Sequence, residues 1–163
     1  MTPEAMDTRE AVHQNRHFQC RTLEEARTLA THLAQAFPDP QRVEYGLAEL
    51  LINAVEHGNL AITYEEKTQL LQGDVWHDEI TQRLALEEYK HRIVRVDLYS
   101  ASDRVWVHIT DEGQGFDWKK YDDVPVEATP YMHGRGILTS KSLSFDALEY
   151  RGRGNEVVAI VYR

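Results

Sequence analysis

A carboxylate and a carboxamide that could do chemistry, Glu49 and Asn53, stand four residues apart in a segment with helical periodicity. On a helix, this spacing places one side chain above the other on the same face. The apolar residues of the segment gather on another face, where they can pack against a sheet: Val43, Leu47, Leu50, Leu51 and Ala54. The polar pair could therefore supply a proton acceptor and a metal ligand, or it could be an ordinary face in solvent.

A second motif, Asp111-x-Gly113-x-Gly115, directly follows a segment with strand periodicity. Two glycines at this spacing let the backbone turn sharply and approach a ligand closely. An aspartate at the end of a strand can accept a hydrogen bond from an exocyclic amine such as that of adenine. The alternative interpretation is a plain turn of aspartate and glycine.

A third motif, His133-Gly134-Arg135-Gly136, opens a predicted helix over residues 136 to 143. A glycine-rich turn before a helix presents backbone N–H groups and the positive end of the helix dipole to an anion. The alternative is a helix start that binds nothing. The motif is not a Walker A loop, because GxxxxGK[ST] does not occur in the chain. Nor does it follow a parallel strand, as a dinucleotide-binding fingerprint requires.

Two amphipathic helices are predicted in the first part of the chain. Thr22 is the expected N-cap of the first, with Glu25 completing a capping box. The second is expected to start at Asp39 or Pro40 and to end at Gly58, and it carries the polar pair. The pattern thus places the first motif on the last turns of a helix that packs on a core.

The segments on either side of these helices have weaker patterns. Residues 1 to 15 are predicted to be a linker or a disordered N-terminus, and residues 16 to 21 a short edge strand. Residues 60 to 91 form a predicted helical insert, split into two helices at Gly73-Asp74. We expect no catalytic constellation within this insert.

A period of two residues predicts two antiparallel pairs of strands later in the chain. Residues 93 to 98 and 105 to 109 form the first hairpin, and its second strand leads into the second motif. Strands around 146 to 150 and 156 to 162 form the other pair, with 151 to 155 as the turn. Helices early and antiparallel strands late predict an α+β fold, in which helices pack on one face of a sheet.

Residues 117 to 135, between the two pairs of strands, contain two prolines and several charges and have no clear period. A loop of this length inside a compact domain is usually a functional lid or disordered. We expect residues 117 to 132 to be such a lid, without fixed order in the absence of a ligand.

Composition excludes several classes of function. The 163 residues are enough for one domain with a substantial core. A net charge of −9 argues against a surface for nucleic acid, and no apolar run is long enough to span a membrane. The single cysteine, Cys20, excludes an internal disulfide framework and favours a buried thiol in a cytoplasmic protein.

Taken together and in this order, the three motifs resemble the asparagine box and the two glycine boxes of the GHKL ATPases. The resemblance covers residues 16 to 163, expected to be a single domain. It implies a two-layer α/β sandwich of the Bergerat type, with a mixed but mostly antiparallel sheet and a long ATP lid. It also implies ATP and Mg²⁺ as cofactors.

Within this superfamily the chain most resembles the anti-sigma factor serine/threonine kinases. The asparagine box ends as Asn-Ala-Val-Glu-His-Gly, and Glu49 stands where sensor histidine kinases usually carry asparagine. The likeness is closest to the C-terminal kinase domain of bacterial response regulators fused to a phosphatase. Neither of those further domains occurs in this sequence, so we expect an excised or stand-alone kinase module.

The resemblance implies a role for each residue of the first two motifs. Glu49 would orient or deprotonate the attacking serine or threonine hydroxyl, and Asn53 would coordinate Mg²⁺ through its side-chain oxygen. Asp111 would bind the amino group of adenine, while Gly113 and Gly115 allow its close approach.

The remaining implied contacts involve phosphate and adenine. Three residues would hold the phosphates as the lid closes: Gly134, Arg135 and Gly136. His57 would contact a phosphate or, alternatively, cap the C-terminus of its helix. The family often has threonine in the final strand region, where it helps to hold adenine; here the residue is Asn155, which offers both a donor and an acceptor.

The expected partner is a STAS-domain anti-sigma factor antagonist as the phosphorylated substrate, with a sigma factor or another regulator as a further candidate. A homodimer is compatible with the resemblance, because dimers are common in that family. Two alternatives stay open at this point. One is a nucleotide-dependent binding module that sequesters a regulator without phosphate transfer, and the other is a sensor histidine kinase catalytic domain.

Overall fold

The computed structural model describes residues 12–116 and 143–163, and these residues form two layers. The helices are α1 (Leu23–Ala34), α2 (Pro40–Asn53), α3 (Tyr64–Gln72) and α4 (Trp76–Ala85). The strands are β1 (Val12–Cys20), β2 (Val94–Ala101), β3 (Arg104–Thr110), β4 (Ala147–Arg151) and β5 (Glu156–Tyr162). A π-helical turn, Ala54–Asn59, continues directly from α2.

The sheet has the strand order β1-β2-β3-β5-β4, and every pairing among the described strands is antiparallel. The expectation of a mixed sheet is therefore not met in this part of the chain. Alternate residues of the three central strands face the helices and are buried: Val94, Val96, Leu98, Val105, Val107, Ile109, Val157, Ala159 and Val161. The structure confirms the predicted α+β fold, with helices packed on one face of the sheet.

The first two helices begin at the predicted residues. Thr22 accepts a hydrogen bond from the Glu25 amide at 3.1 Å, as an N-cap should. The Glu25 carboxylate in turn accepts from the Arg21 amide at 2.9 Å, one residue before the cap. The second helix starts with Pro40 after the N-cap Asp39. Together α1 and α2 cover the core face of the sheet with a continuous apolar cluster.

The N-terminal strand is longer than its pattern indicated. It begins at Val12, inside the segment from 1 to 15 that was expected to be a linker, and it ends at Cys20. The strand is exposed along most of both faces, so it lacks the alternation of polar and apolar residues that reveals a strand. Backbone pairing with β2 determines it, from Val12 opposite Ala101 to Cys20 opposite Val94. Cys20 is buried, as predicted.

The prediction that Gly58 ends the second helix is wrong. The chain stays helical to Asn59, and the Leu60 amide donates to the Val55 carbonyl five residues earlier, at 2.9 Å. This spacing of hydrogen bonds is that of a π-helix, a form that often occurs at functional sites. The glycine is needed for a close approach to another element, as the next subsection describes, and not for a left-handed cap.

The structure confirms two other predicted features, the split of the insert into two helices and the turn between β4 and β5. The insert contains two helices with Asp74 between them at a φ of 56°. The turn between β4 and β5 contains Gly152 and Gly154 at positive φ. The lid of residues 117 to 132, the third motif and the helix predicted from residue 136 lie outside the described residues, apart from Leu143. No described helix is long and apolar enough to cross a membrane.

Candidate functional site

The end of α2 and the π-helical turn form one wall of a cleft. Asn53 is the last residue of α2, and Ala54, His57 and Gly58 follow on the same wall. The Asn53 side-chain nitrogen is buried, and none of the described residues accepts a hydrogen bond from it. A buried amide group left without a partner is costly, and this one lies where a ligand could satisfy it.

Two glycines bring this wall against the strand end that carries Asp111. A Cβ on Gly58 would lie 2.4 Å from the Asp111 Cγ, which is far inside a van der Waals contact. A Cβ on Gly113 would lie 2.4 Å from the Gly58 carbonyl oxygen. The two elements therefore pack backbone to backbone at this point. Gly113 is buried and is not among the described residues that line the cleft.

Gly115 is needed for a different reason. Its φ is 83°, a conformation that residues with a Cβ rarely adopt. A Cβ there would also lie 1.9 Å from the Arg153 carbonyl oxygen. The second motif thus packs against the β4–β5 turn on one side and against the π-helical turn on the other.

Asp111 lies at the base of the cleft and is nearly buried, with 9% of its surface exposed. Burial raises the pKa of its carboxyl to about 6, although a hydrogen bond from the Gly113 amide and the charges of Arg153 and Arg92 act in the opposite direction. The Gly113 amide donates to one carboxyl oxygen at 2.8 Å. When ionised, the carboxylate is therefore a fixed hydrogen-bond acceptor in a site of low polarity.

Asn155 is held directly beside Asp111. Its side-chain nitrogen donates to the Asp111 carbonyl at 3.3 Å, and its own carbonyl accepts from the Asp111 amide at 2.9 Å. The structure therefore joins two residues that are 44 positions apart in the sequence. These two contacts place the carboxylate of Asp111, an acceptor, and the amide side chain of Asn155, both a donor and an acceptor, in one binding site.

The cleft encloses about 510 Å³ of empty space, part of which is open to solvent. Five of the residues singled out from the sequence line it: Asn53, His57, Asp111, Gly115 and Asn155. Glu49 lies one helical turn before Asn53 and is not among the described lining residues. Gly134, Arg135 and Gly136 belong to the part of the chain that the structure does not describe.

His57 is fixed on two sides. Its Nδ1 lies against the Ile62 carbonyl, which can only accept, so this nitrogen carries the proton. The ring also stacks on Tyr64, with 4.1 Å between the ring centroids. Because Ile62 lies beyond the helix, this contact is not the helix cap considered as an alternative from the sequence.

Glu49 is half-buried beside groups of both charges. Burial raises the pKa of its carboxyl, Lys67 of α3 lowers it, and Glu56 raises it. On α2 itself, partial burial raises the pKa of the Tyr45 phenol, and the nearby Glu49 charge raises it further. The net effect is a raised pKa of the Glu49 carboxyl, which suits a proton acceptor, because such a group works best when its pKa is near the operating pH.

The sequence interpretation missed a buried charge network that ties the insert to this wall. Glu56 is fully buried, and the Lys67 ammonium lies 2.8 Å from its carboxylate. The indole nitrogen of Trp76 donates to the other carboxylate oxygen. The available signal was a tryptophan and a lysine in a polar insert, together with a third polar residue on the face of Glu49 and Asn53. The insert is therefore anchored to the site by its own side chains.

The oxygen ligands that this cleft offers fit a magnesium ion that is also bound by the phosphates of a nucleotide. The described residues contain no cluster of three His, Cys, Asp or Glu side chains that could hold a metal. Mg²⁺ commonly keeps several waters and uses one or two protein oxygens together with substrate phosphates. The half-buried Asn53, whose side-chain nitrogen has no partner among the described residues, can provide one such oxygen.

Comparison with protein-family models identifies the family of the chain. A family model described as a histidine kinase-like ATPase domain matches residues 7–161. No curated protein is significantly similar to the chain in sequence.

Proposed function

The chain belongs to the histidine kinase-like ATPase domain family of the GHKL superfamily, and from this premise we propose that it is an ATP-dependent protein kinase acting on serine or threonine. The family gives an ATP-binding domain of kinase type. The observation that carries the finer proposal is Glu49, a half-buried carboxylate one helical turn before Asn53 with a raised pKa. A carboxylate can accept the proton of an attacking hydroxyl, which the asparagine usual in sensor histidine kinases cannot do.

The other residues of the cleft would bind and orient the nucleotide. Asp111 and Asn155 would bind the adenine edge, with the carboxylate accepting from the exocyclic amine. Asn53 would hold Mg²⁺, which would supply positive charge to neutralise the phosphates. Gly134, Arg135 and Gly136, which lie outside the described residues, would hold the phosphates. Glu49 would then orient the protein hydroxyl and accept its proton.

The proposed substrate is a STAS-domain anti-sigma factor antagonist. The support is the ending of the asparagine box, Asn-Ala-Val-Glu-His-Gly, which resembles that of the anti-sigma kinases. A sigma factor or another regulator is a further proposed partner, as is a second copy of this chain.

The experiment is a transfer assay with labelled Mg-ATP and STAS-domain antagonists, comparing the wild type with Glu49→Gln. We expect acid-stable phosphoserine or phosphothreonine with the wild type. Glu49→Gln should lower transfer by about 100-fold or more, as loss of a general base typically does, while ATP affinity stays within about twofold. Glu24→Gln, at an exposed position of α1, is the matched control and should keep full activity.

Three results would contradict the proposal. Full transfer by Glu49→Gln would exclude the role of proton acceptor. Acid-labile phosphate on the partner would indicate histidine as the acceptor. ATP binding without transfer to any antagonist would remove the kinase assignment.

A second candidate is a nucleotide-dependent binding module that sequesters a regulator without phosphate transfer. The observation in its favour is that Asn53 lines the described part of the cleft whereas Glu49 does not. This candidate predicts a regulator that binds only the ATP-loaded protein and is recovered without added phosphate. Binding that is indifferent to nucleotide would exclude it.

A further inference from the structure

The insert contributes an aromatic ring to the cleft. Tyr64 is the first residue of α3 and lines the same cavity as Asp111 and Asn53. Its ring stacks on the His57 imidazole, with 4.1 Å between the centroids and 28° between the planes. None of the three sequence motifs includes this tyrosine.

The position of Tyr64 is fixed by a chain of polar contacts. Thr63 and Glu66 form a reciprocal capping box at the start of α3, with contacts of 3.1 and 2.8 Å. Arg83 of α4 pairs with Glu66 at 3.3 Å and donates to the Leu60 carbonyl at 2.9 Å. The start of α3 is therefore tied both to α4 and to the chain leaving the π-helical turn.

The cleft carries a second pair of rings. Phe116 and Tyr150 line it and meet edge to face, with 5.1 Å between their centroids. Asp111, whose carboxylate accepts hydrogen bonds, lines the same cleft as these rings. Planar side chains together with a nearly buried carboxylate acceptor suit a flat heteroaromatic base that carries an amino group.

We infer that Tyr64 is a positioning residue for the nucleobase: it holds the His57 ring as a flat wall of the base pocket, so that the insert is part of the nucleotide site. The inference deepens the proposed function, because it rests on ATP as the ligand of this cleft. It assigns His57 to the base and not to the phosphate contact considered from the sequence, and it therefore predicts an effect on base binding and none on phosphate binding. Lys67, three residues after Tyr64 on the same helix, anchors the insert through its ion pair with Glu56. This anchor keeps Tyr64 in position against His57.

The test compares the affinity of two ligands, Mg-ATP and inorganic Mg-tripolyphosphate, by titration calorimetry. Tyr64→Ala should weaken ATP binding by about three- to tenfold, the usual value of an aromatic pair, and leave tripolyphosphate affinity unchanged. Tyr64→Phe keeps the ring and should restore ATP affinity to within about twofold of the wild type. Tyr162→Ala, at an exposed tyrosine near the end of β5, is the matched control and should change neither affinity.

Thermal melting of each variant without ligand tests whether the fold is retained. If Tyr64→Ala does not fold, Tyr64→Leu keeps most of the bulk without the ring and should show the same selective loss. An unchanged ATP affinity, or an equal loss for ATP and tripolyphosphate, would overturn the inference. ATP binding that depends on Tyr64 without any phosphate transfer would contradict only the kinase assignment, whereas a wild type that binds no ATP would contradict both.

Discussion

At the scale of single residues, the cleft depends on groups whose placement costs stability. Asp111 is a carboxyl in a nearly buried site, and its pKa is about 6 against an ordinary value of 3.8. At a pH between 3.8 and about 6, the Asp111 carboxyl is ionised in the unfolded chain but protonated in the folded chain. The free energy of unfolding of the ligand-free protein should therefore fall as pH rises from about 4 to about 6. The same carboxyl accepts a hydrogen bond from an amine most strongly when it is ionised.

The first prediction concerns Asp111→Asn in the ligand-free protein. Asparagine keeps an oxygen acceptor for the Gly113 amide but carries no charge, so the free energy of unfolding at pH 7 should rise by roughly 1–3 kcal/mol. ATP affinity should fall by at least about tenfold, because the side chain loses one acceptor for the proposed contact with the adenine amine. Chemical denaturation and calorimetry measure the two quantities.

The pH dependence provides the control for this variant. The gain in stability should shrink as pH falls from about 6 to 3.8 and disappear below 3.8, where the wild-type carboxyl is protonated in both states. Asp103→Asn, in the exposed β2–β3 turn, should change neither stability nor affinity. A destabilised Asp111→Asn at pH 7 would show that the charge at this position contributes favourably to the fold.

At the scale of elements, the site exists because the π-helical turn meets the segment that follows β3 closely, with glycine at both Gly58 and Gly113. The end of α2 and the turn keep Asn53, His57 and Gly58 on one wall. The Asn59 side-chain oxygen accepts from the Glu112 amide at 2.7 Å and so fixes the turn to the segment that follows β3. The insert holds the other side of the turn through Lys67 and the buried Glu56. A shift of this turn would move both the Asn53 amide and the base pocket.

The second prediction is that Gly58→Ala destabilises the protein by about 1–3 kcal/mol, because the new methyl overlaps the Asp111 carboxyl. ATP affinity should fall together with stability. Gly73→Ala is the matched control: it lies at the end of α3 with a φ of −84°, and its nearest contact would be 3.5 Å. It should be neutral or stabilise by up to about 1 kcal/mol. Equal stability of the two variants in a denaturation series would refute the close packing.

At the scale of the whole molecule, ligand and fold should be linked. The cleft is built from α2, the π-helical turn, the end of β3, the β4–β5 pair and the start of α3, which are distant in sequence and meet only in the folded chain. A ligand that binds here binds the native state alone. It should therefore stabilise the protein as a whole, by about 2.7 kcal/mol at 100 times its Kd.

The third prediction uses this linkage to test Asn53 as the magnesium ligand. ATP with Mg²⁺ should raise the melting temperature of the wild type more than ATP with EDTA does. In Asn53→Ala the two shifts should be equal, because the variant lacks the side-chain oxygen that would contact the metal. Glu24→Gln should keep the wild-type difference. A magnesium-dependent shift that persists in Asn53→Ala would place the metal on other groups.

Much of this arrangement could be predicted from the sequence, because it rests on local patterns. The caps at Thr22 and Asp39, the hairpins, and the sequence motifs around Asn53 and Asp111 are set by residue type and spacing within a few positions. The strand Val12–Cys20 was recognised only in part, since it is exposed on both faces and depends on pairing with β2. Gly58 was misread as a helix end because a glycine needed for close packing looks the same in sequence as one needed for a turn.

By itself, then, the sequence determined the α+β class, the order of the three motifs and the side chains that could bind a nucleotide. The tertiary structure decided which of them meet: Asn155 beside Asp111, Gly58 against the same carboxyl, and the insert against His57 and Glu56. The reason is physical. Periodicity and capping are short-range properties of the chain, whereas the depth of a cleft, the burial of a charge and the stacking of Tyr64 on His57 depend on contacts between elements far apart in sequence.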